Sequence, residues 1–143
     1  MTLRVELVVP EGEIWAGRAE MVIAKTLDGD IGVLTGHTPV LGILAEGSLV
    51  RIVPEGSPDA AADGTREVVA AVNGGFFSVA DDRVSILARE AQLGGEVDTR
   101  AARAALDEAV QRAEGAAGGE EEPADVRYFR ALLRAAGDPA DRA

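Results

Sequence analysis

The chain carries one histidine, His37, in the stretch "GDIGVLTGHTPVLGIL", with Asp28 and Asp30 upstream and Thr35 and Thr38 beside it. Imidazole next to a carboxylate is the pairing used in general acid–base catalysis, so a hydrolase built on His37 with Asp28 or Asp30 is one reading. A working site of that kind needs a nucleophile or carboxylate placed by the fold, and a metal site needs several convergent ligands. There is no second histidine and no cysteine to complete such a set. The competing reading is a loop imidazole hydrogen-bonded to nearby backbone, and the composition favours it.

Other candidates are equally poor in chemistry. Glu120, Glu121 and Glu122 form a charge run inside a glycine-rich connector, the usual setting of a solvated run. "NGGF" at residues 73–76 resembles a phosphate-binding turn but has no Lys, Ser or Thr at P-loop spacing; Gly-Gly between strands reads as a turn or bulge. Arg127, Arg130 and Arg134 lie at i, i+3, i+7 spacing and share a helix face, either solvated or offered to an acidic partner. Neither a catalytic nor a metal set is expected.

The elements that must position these residues divide by period. Up to about residue 90 the pattern is period two: Leu3, Val5, Leu7 and Val9 alternate with Arg4 and Glu6, and "GSLVRIV" and "REVVAAV" are short apolar runs bounded by turn residues. "PEGSPDAAADGT", residues 54–65, reads as a solvated hairpin loop, and "VNGGFFSVADDRVSILA" as strands joined through the Gly-Gly pair and an "ADDR" turn. Many short strands at this spacing predict a β-sandwich or barrel.

Near residue 96 the period changes. "VDTRAARAALDEAVQRAEG" consists of strong helix formers, with Asp98 as N-cap and Gly115 at its end. Val97, Ala101 and Ala105 form one apolar row; Ala102, Leu106, Ala109, Val110 and Ala113 form a broader one. After an acidic connector, "ADVRYFRALLRAAG" predicts a second helix with Val126, Phe129, Leu133 and Ala136 on one face and the three arginines on another, stopped by Gly137 and Pro139. The expected architecture is mainly β plus α: a β-sandwich over residues 1–92, then an antiparallel helical hairpin over 93–143 whose docking is conditional.

A net charge of −11 in 143 residues opposes nucleic acid and anionic lipid as main partners and favours basic protein surfaces. No apolar run is long enough to span a bilayer, and no charged leader precedes an apolar segment, so direct membrane insertion and signal-directed export are not expected. A free-standing nucleotide-sensing β module with a helical lid also fits this architecture.

The ordered set "GDIGVLTGHTPVLGIL", "GSLVRI", "NGGFFSV", "VSILAREA" and "VDTRAARAALDEA" resembles the epsilon subunit of the bacterial F-type ATP synthase. That family carries a Gly-acidic-hydrophobic-Gly turn leading to a Pro-Gly-His-Ala-Pro loop, then a Gly-Gly-Phe hairpin, a Val-Thr-Ile-Leu-Ala strand and a helix opening on Ile/Leu-Asp. The correspondence runs in order from about residue 3 to residue 137. Thr35 stands where the family has its first loop proline and Thr38 where it has alanine; Pro39 is retained.

The resemblance implies a non-catalytic rotor-stalk subunit on the cytoplasmic side of the bacterial cell membrane, peripheral to it. It would bind the gamma subunit and the c-subunit ring, coupling proton translocation to ATP synthesis. It implies that Asp30, Gly36, His37 and Pro39 belong to a loop facing the c ring. It also implies that the hairpin inhibits ATP hydrolysis when extended, with Arg127, Arg130 and Arg134 meeting the alpha and beta catalytic subunits. No cofactor is expected beyond a possible regulatory ATP. Some members bind ATP through Ile/Leu-Asp-x-x-Arg-Ala; here Val97, Asp98 and Ala102 match, but Ala101 replaces the arginine. Arg100 and Arg103 flank that position, and one residue on a helix turns a side chain by about 100°. Asp98, Arg100 and Arg103 are thus a weak nucleotide set.

Overall fold

The computed structural model describes residues 2–56, 67–115 and 122–137. Most of the 54–65 loop and the middle of the acidic connector, 116–121, lie outside them, as does Pro139. Seven strands come first: β1 (Leu3–Val9), β2 (Gly12–Thr26), β3 (Gly29–Val33), β4 (Val40–Pro54), β5 (Val68–Ala80), β6 (Arg83–Ala88) and β7 (Ala91–Leu93). A 3-10 turn (Gly94–Glu96) leads to α1 (Thr99–Gly115) and α2 (Ala124–Ala135).

Three of these strands are long enough to serve two sheets. The first half of β2, β1, β6, the second half of β5 and the first half of β4 pair in that order and form a front sheet. The back sheet runs β3, the second half of β2, the second half of β4, the first half of β5 and β7. Register shifts fall between Ala19 and Met21 in β2 and between Glu46 and Ser48 in β4, where the strands cross from one layer to the other. The Gly74-Gly75 pair, at φ 77° and 134°, bends β5 at the matching height, so it is an irregularity within one continuous strand and not a hairpin turn. The hairpin turn is "ADDR": Asp81 and Asp82 both sit at positive φ, as a two-residue turn between twisted strands requires.

The expected alternation holds. Leu3, Val5 and Leu7 point inward and join Val50, Ile52, Val72, Phe77, Val84 and Ile86 in one aliphatic core with little water access. Parallel pairing of β1 with β6 and antiparallel pairing of β1 with β2 close the hydrogen-bonded circuit, so the front sheet has no free edge at β1.

A second core lies outside the back sheet. The helix α2 buries Val126, Tyr128, Ala131, Leu132 and Leu133 between Leu49 and Ala71 of the sheet and Ala102, Leu106 and Ala109 of α1. This covers more of its surface than the Val126–Phe129–Leu133–Ala136 stripe, because α2 packs on both sides. On α1 the broader alanine row does the packing, whereas Ala101 of the narrower row faces solvent. The Asp98 carboxylate accepts the Ala101 N–H at 3.1 Å and starts α1 as an N-cap. Two glycines let α2 lie this close: a Cβ on Gly47, the extra residue of β4 at φ 64°, would strike the Arg127 backbone, and one on Gly94 would strike the Ala135 carbonyl.

Candidate functional site

The loop of His37 is held from outside itself. Gly36, at φ 81°, donates its N–H to Asp82 Oδ1 at 2.6 Å, and His37 donates its N–H to the Leu34 carbonyl at 3.2 Å. His37 Nδ1 lies 2.7 Å from the Thr38 carbonyl; an oxygen that can only accept fixes the ring proton on Nδ1 and leaves Nε2 outward. No bond joins the imidazole to Asp28 or Asp30. Asp30 sits on β3 opposite Lys25, exposed to solvent. Thus Gly36, His37 and Pro39 share one loop, while Asp30 stands on the strand that leads into it.

The arginine row faces the sandwich. Arg127 lies 3.7 Å from Glu46, which is also 3.3 Å from Arg89, and donates at 3.0 Å to the Glu122 carbonyl. Arg130 Nε approaches Glu122 Oε2 to 3.2 Å, close enough for an ion pair but not aligned as a hydrogen bond. Arg134 reaches the Gly47 carbonyl at 3.4 Å. With Lys25 these three arginines line a cavity of about 430 Å³ whose acidic lining residues, among those described, are Glu46 and Glu122. In the docked helix the row is therefore turned to the sandwich and not simply solvated. Asp98 is spent on the cap of α1, and neither Arg100 nor Arg103 lines this cavity. Among the described residues no group of three His, Cys, Asp or Glu side chains could hold a metal ion.

The outer face of the front sheet, which no helix among the described residues covers, was not anticipated from sequence. Its side chains fall in three cross-strand rows. The first is Arg18, Arg4 and Arg83; the second is Ala16, Glu6, Ser85, Ser78 and Leu41. The third is Val8, Leu87, Phe76 and Ile43, extended by Leu27 through its N–H to the Ile43 carbonyl at 3.0 Å. Leu27, Ile43, Phe76 and Leu87 are between 49 % and 68 % exposed and border an apolar groove of about 600 Å³. Exposed large apolar side chains in one contiguous row mark an interaction surface, since single ones would need no explanation. The alternation of β1, β5 and β6 was visible, but which residues become neighbours depends on pairing partners up to 79 residues apart, such as Arg4 and Arg83.

Residues 2–94 match the family model described as ATP synthase, Delta/Epsilon chain, beta-sandwich domain. The chain is 52 % identical over 135 residues to the ATP synthase epsilon chain of Thermobifida fusca, covering 94 % of this chain and 91 % of that one. It is 45 % identical over 132 residues to the epsilon chain of Streptomyces griseus, covering 92 % and 97 %. Among solved structures, a chain of the Euglena gracilis mitochondrial ATP synthase, OSCP/F1/c-ring, superposes with a TM-score of 0.63 at 25 % identity, over 92 % of this chain and 75 % of that one. A chain of the Tetrahymena thermophila mitochondrial ATP synthase central stalk/c-ring shares the fold, with a TM-score of 0.55 at 18 % identity over 90 % and 94 %. The sandwich with its docked hairpin fits these relatives, and the chain belongs to the ATP synthase epsilon family of non-catalytic central-stalk subunits.

Proposed function

We propose that the front-sheet row Val8–Leu87–Phe76–Ile43 docks this rotor-stalk subunit on the gamma subunit, while the loop with Gly36, His37 and Pro39, together with Asp30 on the strand that leads into it, rests on the c-subunit ring. The observation that carries the reading is that one sheet of the sandwich is capped by the hairpin and the other exposes a continuous apolar row. A close-packed aliphatic sandwich is stiff, as torque transmission demands. In this reading the chain lies on the cytoplasmic side of the bacterial cell membrane, attached through protein contacts. Among the described residues no helix is long and apolar enough to cross a membrane.

The hairpin, residues 93–143, is the regulatory unit. Docked, it turns Arg127, Arg130 and Arg134 toward Glu46, Glu122 and the Gly47 carbonyl. Extended, it would offer them to acidic surfaces of the alpha and beta subunits and inhibit ATP hydrolysis, a two-state balance set by which partners the arginines find.

Capture of the gamma subunit from the same organism tests the docking face. The full chain should retain gamma on an affinity column, and Phe76→Ser and Leu87→Ser should lose it while keeping the wild-type circular dichroism. Retention by both variants, or no retention by the folded wild type, overturns the assignment.

A further inference from the structure

The first row of the front sheet, Arg18–Arg4–Arg83, is a charge arrangement that folding alone does not favour. The three residues are direct cross-strand neighbours, Arg4 opposite Arg18 on one side and opposite Arg83 on the other, and like charges in that register repel. All three side chains are exposed, and none has an ion pair among the described residues. This happens in a chain with 25 acidic residues and a net charge of −11, where an unpaired row of three cations is the exception. Glu6, which accepts the Ser85 hydroxyl at 2.9 Å, and Glu13, opposite Val8, form no ion pair with it. The three arginines line a cavity of about 630 Å³ together with Glu6, Glu13, Ala16 and Gly17, in which cations outnumber carboxylates.

We infer that this row is the electrostatic half of the rotor docking face, and that it receives an acidic segment of the same protein partner that covers the apolar row. The inference rests on the docking face proposed above. Continuity supports it: Arg4 and Val8 lie on the same side of β1, four residues and so about 13 Å apart, within one ordinary interface patch. Charge supports it as well. Three guanidinium forks match carboxylates in the bidentate manner, and a polar rim beside an apolar centre is the usual anatomy of such contacts. Glu6 and Glu13, which line the same cavity, would repel a compact polyanion, whereas a peptide can turn its carboxylates to the arginines and its other groups away. The row would speed encounter and fix the register of docking, and it would make binding sensitive to salt.

The test measures binding of the purified gamma subunit to the full chain across a salt series, together with thermal melting of the free chain. Arg4→Glu breaks the run of like charges at its centre, so the free chain should melt at the same or a higher temperature. Its affinity for gamma should nonetheless fall about tenfold or more at low salt, and its salt dependence should flatten. Arg4→Gln, which adds no repulsion, should show a smaller loss in the same direction. Unchanged or tighter binding by both variants, with Phe76→Ser still unable to bind, overturns the arginine row and leaves the apolar docking face standing. If Phe76→Ser also binds normally, the docking face itself is wrong.

Discussion

Asp82 ties three parts of the molecule together. Its φ of 60° makes the hairpin turn, its carbonyl accepts the Arg4 N–H at 2.8 Å, and its carboxylate accepts the Gly36 N–H at 2.6 Å. The His37 loop is thus tethered at Gly36 by a carboxylate 46 residues away in sequence. Replacing it with glycine keeps the turn conformation and removes the acceptor, while asparagine keeps both. Asp82→Gly should speed hydrogen exchange at the Gly36 amide by about tenfold, the scale of one lost charge-assisted hydrogen bond, and Asp82→Asn by much less. An unchanged Gly36 rate in the glycine variant would mean that the loop holds itself. The double aspartate was readable as a turn, but nothing local in "ADDR" points to residue 36. His37, by contrast, was read correctly as a loop imidazole, because its acceptor is the next residue's carbonyl.

At the scale of elements, the docking of α2 depends on fit more than on charge. Its ion pairs to Glu46 and Glu122 are partly exposed, and such pairs contribute about 1 kcal/mol or less each. The buried residues decide the matter, and one of them titrates. Tyr128 is almost fully buried against the back sheet and α1, and its phenol is pushed up to about 12, first by burial and then by the nearby Glu90 carboxylate. The unfolded or undocked phenol ionises near its ordinary value of 10.0, so the docked helix favours the protonated form. That contribution is fully present below pH 10 and is lost as pH rises from about 10 to about 12. Protease sensitivity of the hairpin should therefore rise over this window, in step with phenolate absorbance, and Tyr128→Phe should move the rise to higher pH. Coincident curves for the two proteins would show that Tyr128 does not gate docking. Helix existence and the Asp98 cap were legible from composition and spacing. The full extent of the buried face was not, because the Val126–Leu133 stripe describes contact with one neighbour and α2 has two.

For the whole molecule, the two faces of the sandwich are divided between two tasks. The hairpin sits on Leu49 and Ala71 of the back sheet, and the rows proposed to meet the rotor lie on the front sheet. The hairpin packs on Leu49 and Ala71, which are in none of the rows, and Leu27 and Glu46 line both the apolar groove and the arginine cavity; the sandwich core between the two faces is separate from the helix core. Moving the hairpin should therefore leave the front-sheet rows in place, and with them the proposed rotor contact. The division was hidden in the sequence, since "GSLVRIV", "REVVAAV" and the run after the Gly-Gly pair read as separate short strands while the fold uses β4 and β5, like β2, in both layers. Deleting residues from 118 onward removes α2 and with it the packing partner of α1, and leaves every residue of the front-sheet rows in the chain. The complex built with this truncated chain should assemble and synthesise ATP at the wild-type rate. Its ATP hydrolysis should rise by about twofold or more if the extended form is appreciably populated in the intact complex, because an equilibrium that can no longer visit the inhibitory state cannot be biased toward it. Equal hydrolysis in the two complexes would remove the inhibitory role from the hairpin. Failed assembly of the truncated chain would mean that front and back faces are coupled after all.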